Sequence, residues 1–150
     1  MLANKPAADS ANPSQSSDMP SIKQQSLTVR VLLVDDHEYV RRALAEFLLL
    51  FSPRIDLVGE AGDGETALAM TRTTQPDVAI MDIGMPGMKG IEVTRHITRE
   101  HPRVKVMGLS NFSEGEKVGA MISAGAVRYL HKTVPPEILI EAILACASRD

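Results

Sequence analysis

Several polar side chains stand where apolar segments of this sequence end, although a carboxylate without a partner is costly to bury. The apolar run VRVLLV is followed by Asp35, Asp36 and His37, and the run VAIM is followed by Asp82. A hydroxyl and an amine follow later apolar runs. The residues at these ends that could do chemistry are Asp35, Asp36, Asp82, Ser110 and Lys132.

Carboxylates gathered in one place repel each other and disfavour joint ionisation, and a divalent cation relieves that repulsion. Magnesium prefers a few carboxylates together with water and phosphate oxygens, so the set predicts a Mg²⁺ site suited to phosphate chemistry. Each residue alone also has a structural interpretation. Asp35 or Asp36 could cap the following helix, and Lys132 could be a solvated surface charge. The functional interpretation depends on all of these residues falling at strand ends.

The apolar pattern predicts an alternation of strands and helices that would bring these residues together. The predicted strands are 29–34, 55–59, 77–81, 104–109 and 126–130. The predicted helices are 38–51, 65–73, 88–100, 114–124 and a last helix opened by Pro135 and Pro136. Strands that are apolar on both sides are typical of a parallel sheet covered by helices on both faces. Functional groups of such doubly wound α/β sheets gather beyond the carboxyl ends of the strands.

Composition limits the class of protein. The chain has 150 residues, of which 44% are hydrophobic and 23% charged, as in a single globular domain. A formal net charge of −3 gives no reason to expect binding to nucleic acid or anionic lipid. A single cysteine, Cys146, fits a reducing compartment, and we expect a cytoplasmic location. No apolar run is long enough to span a membrane, and no signal peptide is recognisable.

The first 26 residues differ from the rest of the chain. They are rich in Ala, Ser, Pro, Asn and Gln and have few large apolar side chains, a composition that cannot offset the entropy of ordering. We therefore predict a disordered tail over residues 1–26 and a folded domain over 27–150.

Six segments resemble the receiver domain of two-component response regulators. They are VLLVDDHEYVR, EAGDGETAL, PDVAIMDIGMPGMKGIEV, VMGLS, AGAVRYLHK and PPEILIEAI. The resemblance covers residues 28–147 and is greatest to the NarL/FixJ branch, whose members usually carry a helix-turn-helix output domain. It implies a flavodoxin-like (βα)5 fold with the strand order 2-1-3-4-5.

The resemblance also implies a phosphoryl-transfer site. Asp82 would be the phospho-acceptor, and Asp36, Asp82 and the backbone carbonyl of Gly84 would hold Mg²⁺, with Asp35 helping. The donor would be a phosphohistidine on a histidine kinase or a histidine phosphotransfer protein. The protein would also remove its own phosphoryl group slowly, and Gly84 offers no side chain to orient the hydrolytic water.

The same resemblance implies a switch. Lys132 would bind one phosphoryl oxygen and Ser110 another, and Tyr129 would follow Ser110 inward. Two departures from the family pattern stand nearby: Thr133 replaces a proline often found after the lysine, and Asn111 replaces a small residue.

The predicted helix after Ser110 contains two glycines, Gly115 and Gly119. Each costs about 1 kcal/mol relative to alanine in a helix interior, which would suit an element that changes its structure on phosphorylation. The alternative interpretation is that Gly115 lies in a frayed first turn and Gly119 permits close packing.

The last helix carries two apolar stripes. The stripe expected to face the core comprises Ile138, Leu139, Ala142, Ile143 and Cys146. Ile140 and Leu144 form a second stripe, which predicts an interface for a homodimer or a docking partner, and Leu49 on the first helix could join it.

The output of the domain is left open by the sequence. Because no helix-turn-helix module follows the last helix, we expect a stand-alone receiver that signals through protein contacts. The alternative is a receiver fragment of a DNA-binding transcription regulator. An aspartate-nucleophile phosphatase is disfavoured because such enzymes want a general acid at the position of Gly84. A flavodoxin-like flavin binder is disfavoured because aromatic residues make up only 3% of the chain.

Overall fold

The computed structural model describes residues 28–85, 89–111 and 117–148. The strands are β1 (Val29–Val34), β2 (Ile55–Ala61), β3 (Val78–Asp82), β4 (Lys105–Ser110) and β5 (Arg128–His131). The helices are α1 (Glu38–Leu49), α2 (Gly64–Thr74), α3 (Gly90–Glu100), α4 (Lys117–Ala124) and α5 (Pro136–Ala147). Within these residues the strands form one parallel sheet in the order β2-β1-β3-β4-β5, which confirms the predicted fold class.

Two apolar cores lie on opposite faces of this sheet because side chains alternate along each strand. In β1, Val31 and Leu33 belong to the core beneath α1 and α5, whereas Leu32 and Val34 belong to the core beneath α2, α3 and α4. The central strand β3 is buried along its whole length. The sheet is therefore a rigid support for whatever its carboxyl edge carries.

The apolar stripes of α5 differ from the prediction. Ile140 is only 6% exposed and packs in the core with Leu139, whereas Ile138 is 40% exposed. Leu144 is partly buried against the same core. The assignment of Ile140 to an exposed stripe was wrong because the face against the sheet is wide enough to include two successive residues, 139 and 140. An interface through Ile140 is thus excluded, although Leu49 on α1 is exposed as expected.

The glycine predictions for the helix after β4 have different outcomes. Gly115 lies outside the described residues. A Cβ built at Gly119 would meet no heavy atom within 4 Å, so this glycine is not required by close packing. The close-packing interpretation of Gly119 was therefore wrong.

The predicted tail, residues 1–26, lies outside the part of the chain that the structure describes. Among the described helices, none has both the length and the apolar character needed to cross a membrane.

Candidate functional site

The carboxyl edge of the sheet brings the predicted residues together. β1 and β3 are parallel neighbours, with Val34 opposite Met81, so Asp35 and Asp82 leave adjacent strands at the same level. β3 reaches one residue further than predicted, since Asp82 is still paired with Leu109 of β4. Asp82 is consequently held at the rim by backbone hydrogen bonds rather than by a loose turn.

Lys132 links the two buried carboxylates. Its Nζ lies 3.2 Å from Asp35 Oδ2 and 3.2 Å from Asp82 Oδ1, and its side chain is only 12% exposed. Its backbone N–H donates to the carbonyl oxygen of Ser110 at 2.8 Å, which fixes the turn after β5 against the end of β4. The interpretation of Lys132 as a solvated surface charge was wrong.

Asp35 has partners for both carboxylate oxygens. Oδ2 faces Lys132, while Oδ1 accepts the backbone N–H of His37 at 2.9 Å and lies 3.1 Å from His37 Nδ1. The N-cap residue of α1 is His37, and no side chain forms a cap there. The alternative in which Asp35 or Asp36 caps this helix is therefore not what the structure shows.

Two carboxylate oxygens of the cluster are buried without a hydrogen-bond partner among the described residues: Asp36 Oδ1 and Asp82 Oδ2. Leaving a buried acceptor unpaired costs about 1–3 kcal/mol, and more when it is charged. The ligand atoms of Asp35, Asp36, His37 and Asp82 lie within 4.8 Å of one another. The carboxylate oxygens of this set fit a divalent cation, which would compensate the unpaired charge.

The pKa values of these groups follow from burial and mutual charge. Burial raises the pKa of Asp82 to about 6 from its usual 3.8, the Asp35 charge raises it too, and Lys132 opposes both. Burial would also raise the pKa of Asp35, but the His37 backbone N–H and Lys132 outweigh it and lower that pKa. Burial would lower the pKa of Lys132, but Asp82 and Asp35 outweigh it and raise that pKa. The shifted pKa values favour the charged forms of Lys132 and Asp35. The raised pKa of Asp82 means that its ionised form costs free energy in the folded protein.

The segment after Asp82 approaches it closely. The backbone N–H of Gly84 donates to Asp82 Oδ1 at 3.2 Å. A Cβ at Gly90, the first residue of α3, would lie 2.2 Å from the carbonyl oxygen of Asp82, so only glycine fits there. The first residue of α3 therefore packs directly against the backbone of Asp82. Pro86, Gly87 and Met88, between the two glycines, lie outside the described residues.

Ser110 and Tyr129 are already in contact. The fully buried Ser110 hydroxyl donates to the Tyr129 hydroxyl oxygen at 2.9 Å, and the Tyr129 hydroxyl lies 3.4 Å from His131 Nε2. Ser110 is the last residue of β4, adjacent to the strand that carries Asp82. Both residues therefore lie where the sequence placed them, joined to each other.

A family model of the response regulator receiver domain matches residues 31–144. The chain belongs to the response regulator receiver domain family. The predicted resemblance is thereby confirmed, as is the predicted class of function, since these domains act in two-component phosphorelay signalling.

Similar proteins come from the NarL/LuxR type. The receiver is 44% identical over 122 residues to the transcriptional regulatory protein LiaR of Bacillus subtilis, which covers 81% of this chain and 57% of that protein. It is 36% identical over 117 residues to the response regulator protein VraR of Staphylococcus aureus, covering 78% and 56%. It matches the signal receiver domain of the response regulator NarL from Mycobacterium tuberculosis with a TM-score of 0.75 and 34% identity, covering 81% and 98%. The chain thus spans little more than half the length of the curated relatives.

Sequence reasoning missed two residues of the receiver's site. No role was predicted for His37 from the sequence, yet its Nδ1 faces three carboxylates. Arg41 Nη1 donates to the Asp35 carbonyl oxygen at 2.8 Å, and its Nε pairs with Glu60 at 3.2 Å. The only signal for His37 was its place directly after Asp35 and Asp36. Nothing distinguished Arg41 from a solvated helix residue.

Proposed function

We propose that this receiver accepts a phosphoryl group onto Asp82 and thereby changes a protein-binding surface. The observation that carries the proposal is the buried Asp82 carboxylate, 2% exposed, with Lys132 Nζ at 3.2 Å from one oxygen and the other oxygen unpaired. The donor is a phosphohistidine of a histidine kinase or a histidine phosphotransfer protein.

In the transfer, an Asp82 oxygen attacks the phosphorus, the P–N bond to the donor histidine breaks, and an acyl phosphate forms. Phosphoryl transfer needs mainly positioning and neutralisation of charge on the transferred oxygens. Lys132 holds Asp82 in place beforehand and receives a phosphoryl oxygen afterwards. Later attack by water on the acyl phosphate restores the carboxylate, so the receiver is also its own slow phosphatase.

Magnesium is the cofactor that we propose for this site. Asp36, Asp82 and the carbonyl oxygen of Gly84 would hold it, with Asp35 acting directly or through water. The two unpaired oxygens, Asp36 Oδ1 and Asp82 Oδ2, support this assignment because a cation would compensate both. Bound Mg²⁺ would neutralise charge on the transferred oxygens.

Ser110 and Tyr129 form the proposed switch. A phosphoryl oxygen on Asp82 would compete for the Ser110 hydroxyl, which now donates to Tyr129 at 2.9 Å. Ser110 can donate only one hydrogen bond, so turning toward the phosphoryl group releases Tyr129. The freed ring then moves, and the surface beside β5 and α4 changes with it.

The donor docks beside α1 in this proposal. Tyr39 and Val40, at the start of α1 and close to Asp36, are both exposed, Tyr39 by 92%. Val40 also lines a groove of about 390 Å³ between α1 and α5, together with Phe47 and Lys132 among others. An apolar surface next to the reacting carboxylate suits a partner that must bring its phosphohistidine to Asp82.

Further proposals concern the whole protein. The relatives include a transcriptional regulatory protein, so a receiver that controls a DNA-binding module is one proposed output and a stand-alone receiver the other. A homodimer would use exposed Leu49, the last residue of α1, and Leu50, which follows it. We also propose a cytoplasmic location, as predicted from the sequence.

Incubation with acetyl phosphate and Mg²⁺, followed by intact mass measurement, tests the proposed function. We expect one phosphoryl group per chain in the wild type and in Asp56→Asn, a matched change at an exposed carboxylate on β2. Asp82→Asn should show none. Continuous phosphate release from many different esters would instead indicate the phosphatase alternative.

A further inference from the structure

We propose that Arg41 is a positioning residue for the divalent-cation site, because its guanidinium group fixes the peptide that orients the Asp36 carboxylate. The inference rests on the proposed function for the existence of the cation site. It leaves the proposed Mg²⁺ ligands as they are and adds a residue that supports one of them without touching the cation or the phosphoryl group.

The Arg41 side chain folds back from the first turn of α1 onto the end of β1. Its Nη1 donates to the Asp35 carbonyl oxygen at 2.8 Å, and its Nε donates to Glu60 Oε1 at 3.2 Å. The side chain of Arg41 is 17% exposed and that of Glu60 is 20% exposed. A guanidinium group is planar and carries its donors in a rigid arrangement, so two bonds to different acceptors hold it in one orientation.

The carbonyl oxygen that Arg41 binds belongs to the peptide group between Asp35 and Asp36. The backbone N–H of Asp35 donates to the Ala61 carbonyl oxygen at 3.0 Å, so β2 holds one side of Asp35 and Arg41 holds the other. Because a peptide group is planar, fixing its carbonyl oxygen fixes the direction in which Asp36 leaves it. Asp36 Oδ1 is one of the two buried carboxylate oxygens without a hydrogen-bond partner among the described residues. The direction of this oxygen therefore depends on Arg41.

Gly62 leaves room for the guanidinium group. A Cβ built at Gly62 would lie 3.1 Å from Arg41 Nη1 and 4.0 Å from the Asp35 carbonyl oxygen. Glycine after β2 thus allows Arg41 to reach Asp35 without crowding. The end of β1, the turn after β2 and the start of α1 meet at this one carbonyl oxygen.

Arg42 offers a matched comparison. It pairs with Oε2 of Glu60 as Arg41 pairs with Oε1, but its side chain is 50% exposed, and no contact joins it to Asp35 in the part of the chain that the structure describes. Removing either arginine takes a positive charge from the neighbourhood of the carboxylates, which by charge alone favours a bound cation. Only the loss of Arg41 also releases the Asp35 carbonyl oxygen. Charge and positioning therefore predict changes of opposite sign in Mg²⁺ affinity for Arg41.

The test measures Mg²⁺ affinity directly. MgCl₂ is titrated into the isotope-labelled full chain, and the backbone amide signals of the site are followed by nuclear magnetic resonance. We expect the affinity to fall about tenfold in Arg41→Met, as is typical when a residue that supports a metal ligand is removed. Arg42→Met should bind Mg²⁺ at least as tightly as the wild type. Arg41→Lys, which keeps the charge but lacks the planar set of donors, should lie between the wild type and Arg41→Met.

Phosphorylation by acetyl phosphate gives a second measurement. The Mg²⁺ concentration that gives half the maximal rate should rise about tenfold in Arg41→Met. The rate at saturating Mg²⁺ should match the wild type, because Asp82 and Lys132 are unchanged. Far-ultraviolet circular dichroism checks that the variants are folded.

Three results would overturn the inference. They are an unchanged or raised Mg²⁺ affinity in Arg41→Met, an equal fall in Arg42→Met, and a lower rate of Arg41→Met at every Mg²⁺ concentration with the same half-saturation. The second result would attribute the effect to Glu60, which both arginines contact. A wild-type receiver that binds Mg²⁺ but is not phosphorylated at Asp82 would reject the proposed function, while the affinities of the variants would still decide the role of Arg41.

Discussion

The fold places the Asp82 carboxyl group where its ionised form is disfavoured. It is buried beside Asp35, and burial together with that charge raises its pKa to about 6 from 3.8. The folded state therefore binds more protons than the unfolded state between these values, and stability falls as the pH rises from about 4 to 6. Above pH 6 Asp82 is ionised in both states, and its burial lowers the free energy of unfolding by the full amount. Reactive groups commonly carry such a cost.

Asp82→Asn should therefore stabilise the cation-free receiver at neutral pH. The amide removes the buried charge, and the two-unit pKa difference corresponds to roughly 3 kcal/mol at full effect. Urea denaturation in the presence of a chelator measures the gain. The gain should be large at pH 8 and small at pH 4. A gain that does not change with pH would contradict the charge explanation.

Lys132 stabilises the buried carboxylates of Asp35 and Asp82 with its positive charge. Lys132→Met should lower the free energy of unfolding by about 3 kcal/mol at neutral pH, because Asp35 and Asp82 would lose their shared cation. Denaturation curves measure the loss. Lys105→Met, a partly buried lysine at the opposite end of β4, is the control. Equal losses for the two variants would mean that the site charges contribute nothing specific.

At the scale of elements, the strands could be predicted well and the helix faces less well. Apolar runs located the strand ends within two residues, because a buried parallel strand leaves a continuous signal. The face of α5 was misjudged at Ile140 because a wheel does not tell how wide a stripe the sheet covers. The position of His37 was missed because its contact with Asp82 joins residues at the ends of β1 and β3, and no spacing along the chain indicates such a contact.

Gly90 joins α3 to the site. Gly90→Ala would place a Cβ 2.2 Å from the Asp82 carbonyl oxygen, so α3 or the end of β3 must move. We expect a lower melting temperature and slower phosphorylation by acetyl phosphate. Unchanged phosphorylation would show that the contact does not position Asp82.

Gly119 on α4, unlike Gly90, has room for a side chain. Gly119→Ala adds a Cβ into open space and removes a helix-weakening residue. It should raise the free energy of unfolding by about 1 kcal/mol, as measured by urea denaturation. A destabilised variant would show that the glycine is needed for something other than packing.

At the scale of the whole molecule, the docking surface and the chemical site are adjacent but separable. Tyr39 and Val40 are exposed on α1, and neither contacts Asp82 in any described interaction. Tyr39→Ala combined with Val40→Lys should slow phosphotransfer from a histidine kinase about tenfold or more, consistent with loss of interface contacts. Phosphorylation by acetyl phosphate should stay at the wild-type rate. A loss with both donors would place these residues in the chemistry instead.

The most direct measurement is the location of the phosphoryl group. The receiver is phosphorylated with acetyl phosphate and Mg²⁺, the acyl phosphate is reduced with borohydride, and the digest is sequenced by mass spectrometry. We expect homoserine in place of aspartate at position 82, and aspartate unchanged at positions 35 and 36. Homoserine at either of those two positions, or at none of the three, would contradict the assignment of Asp82 as the phospho-acceptor.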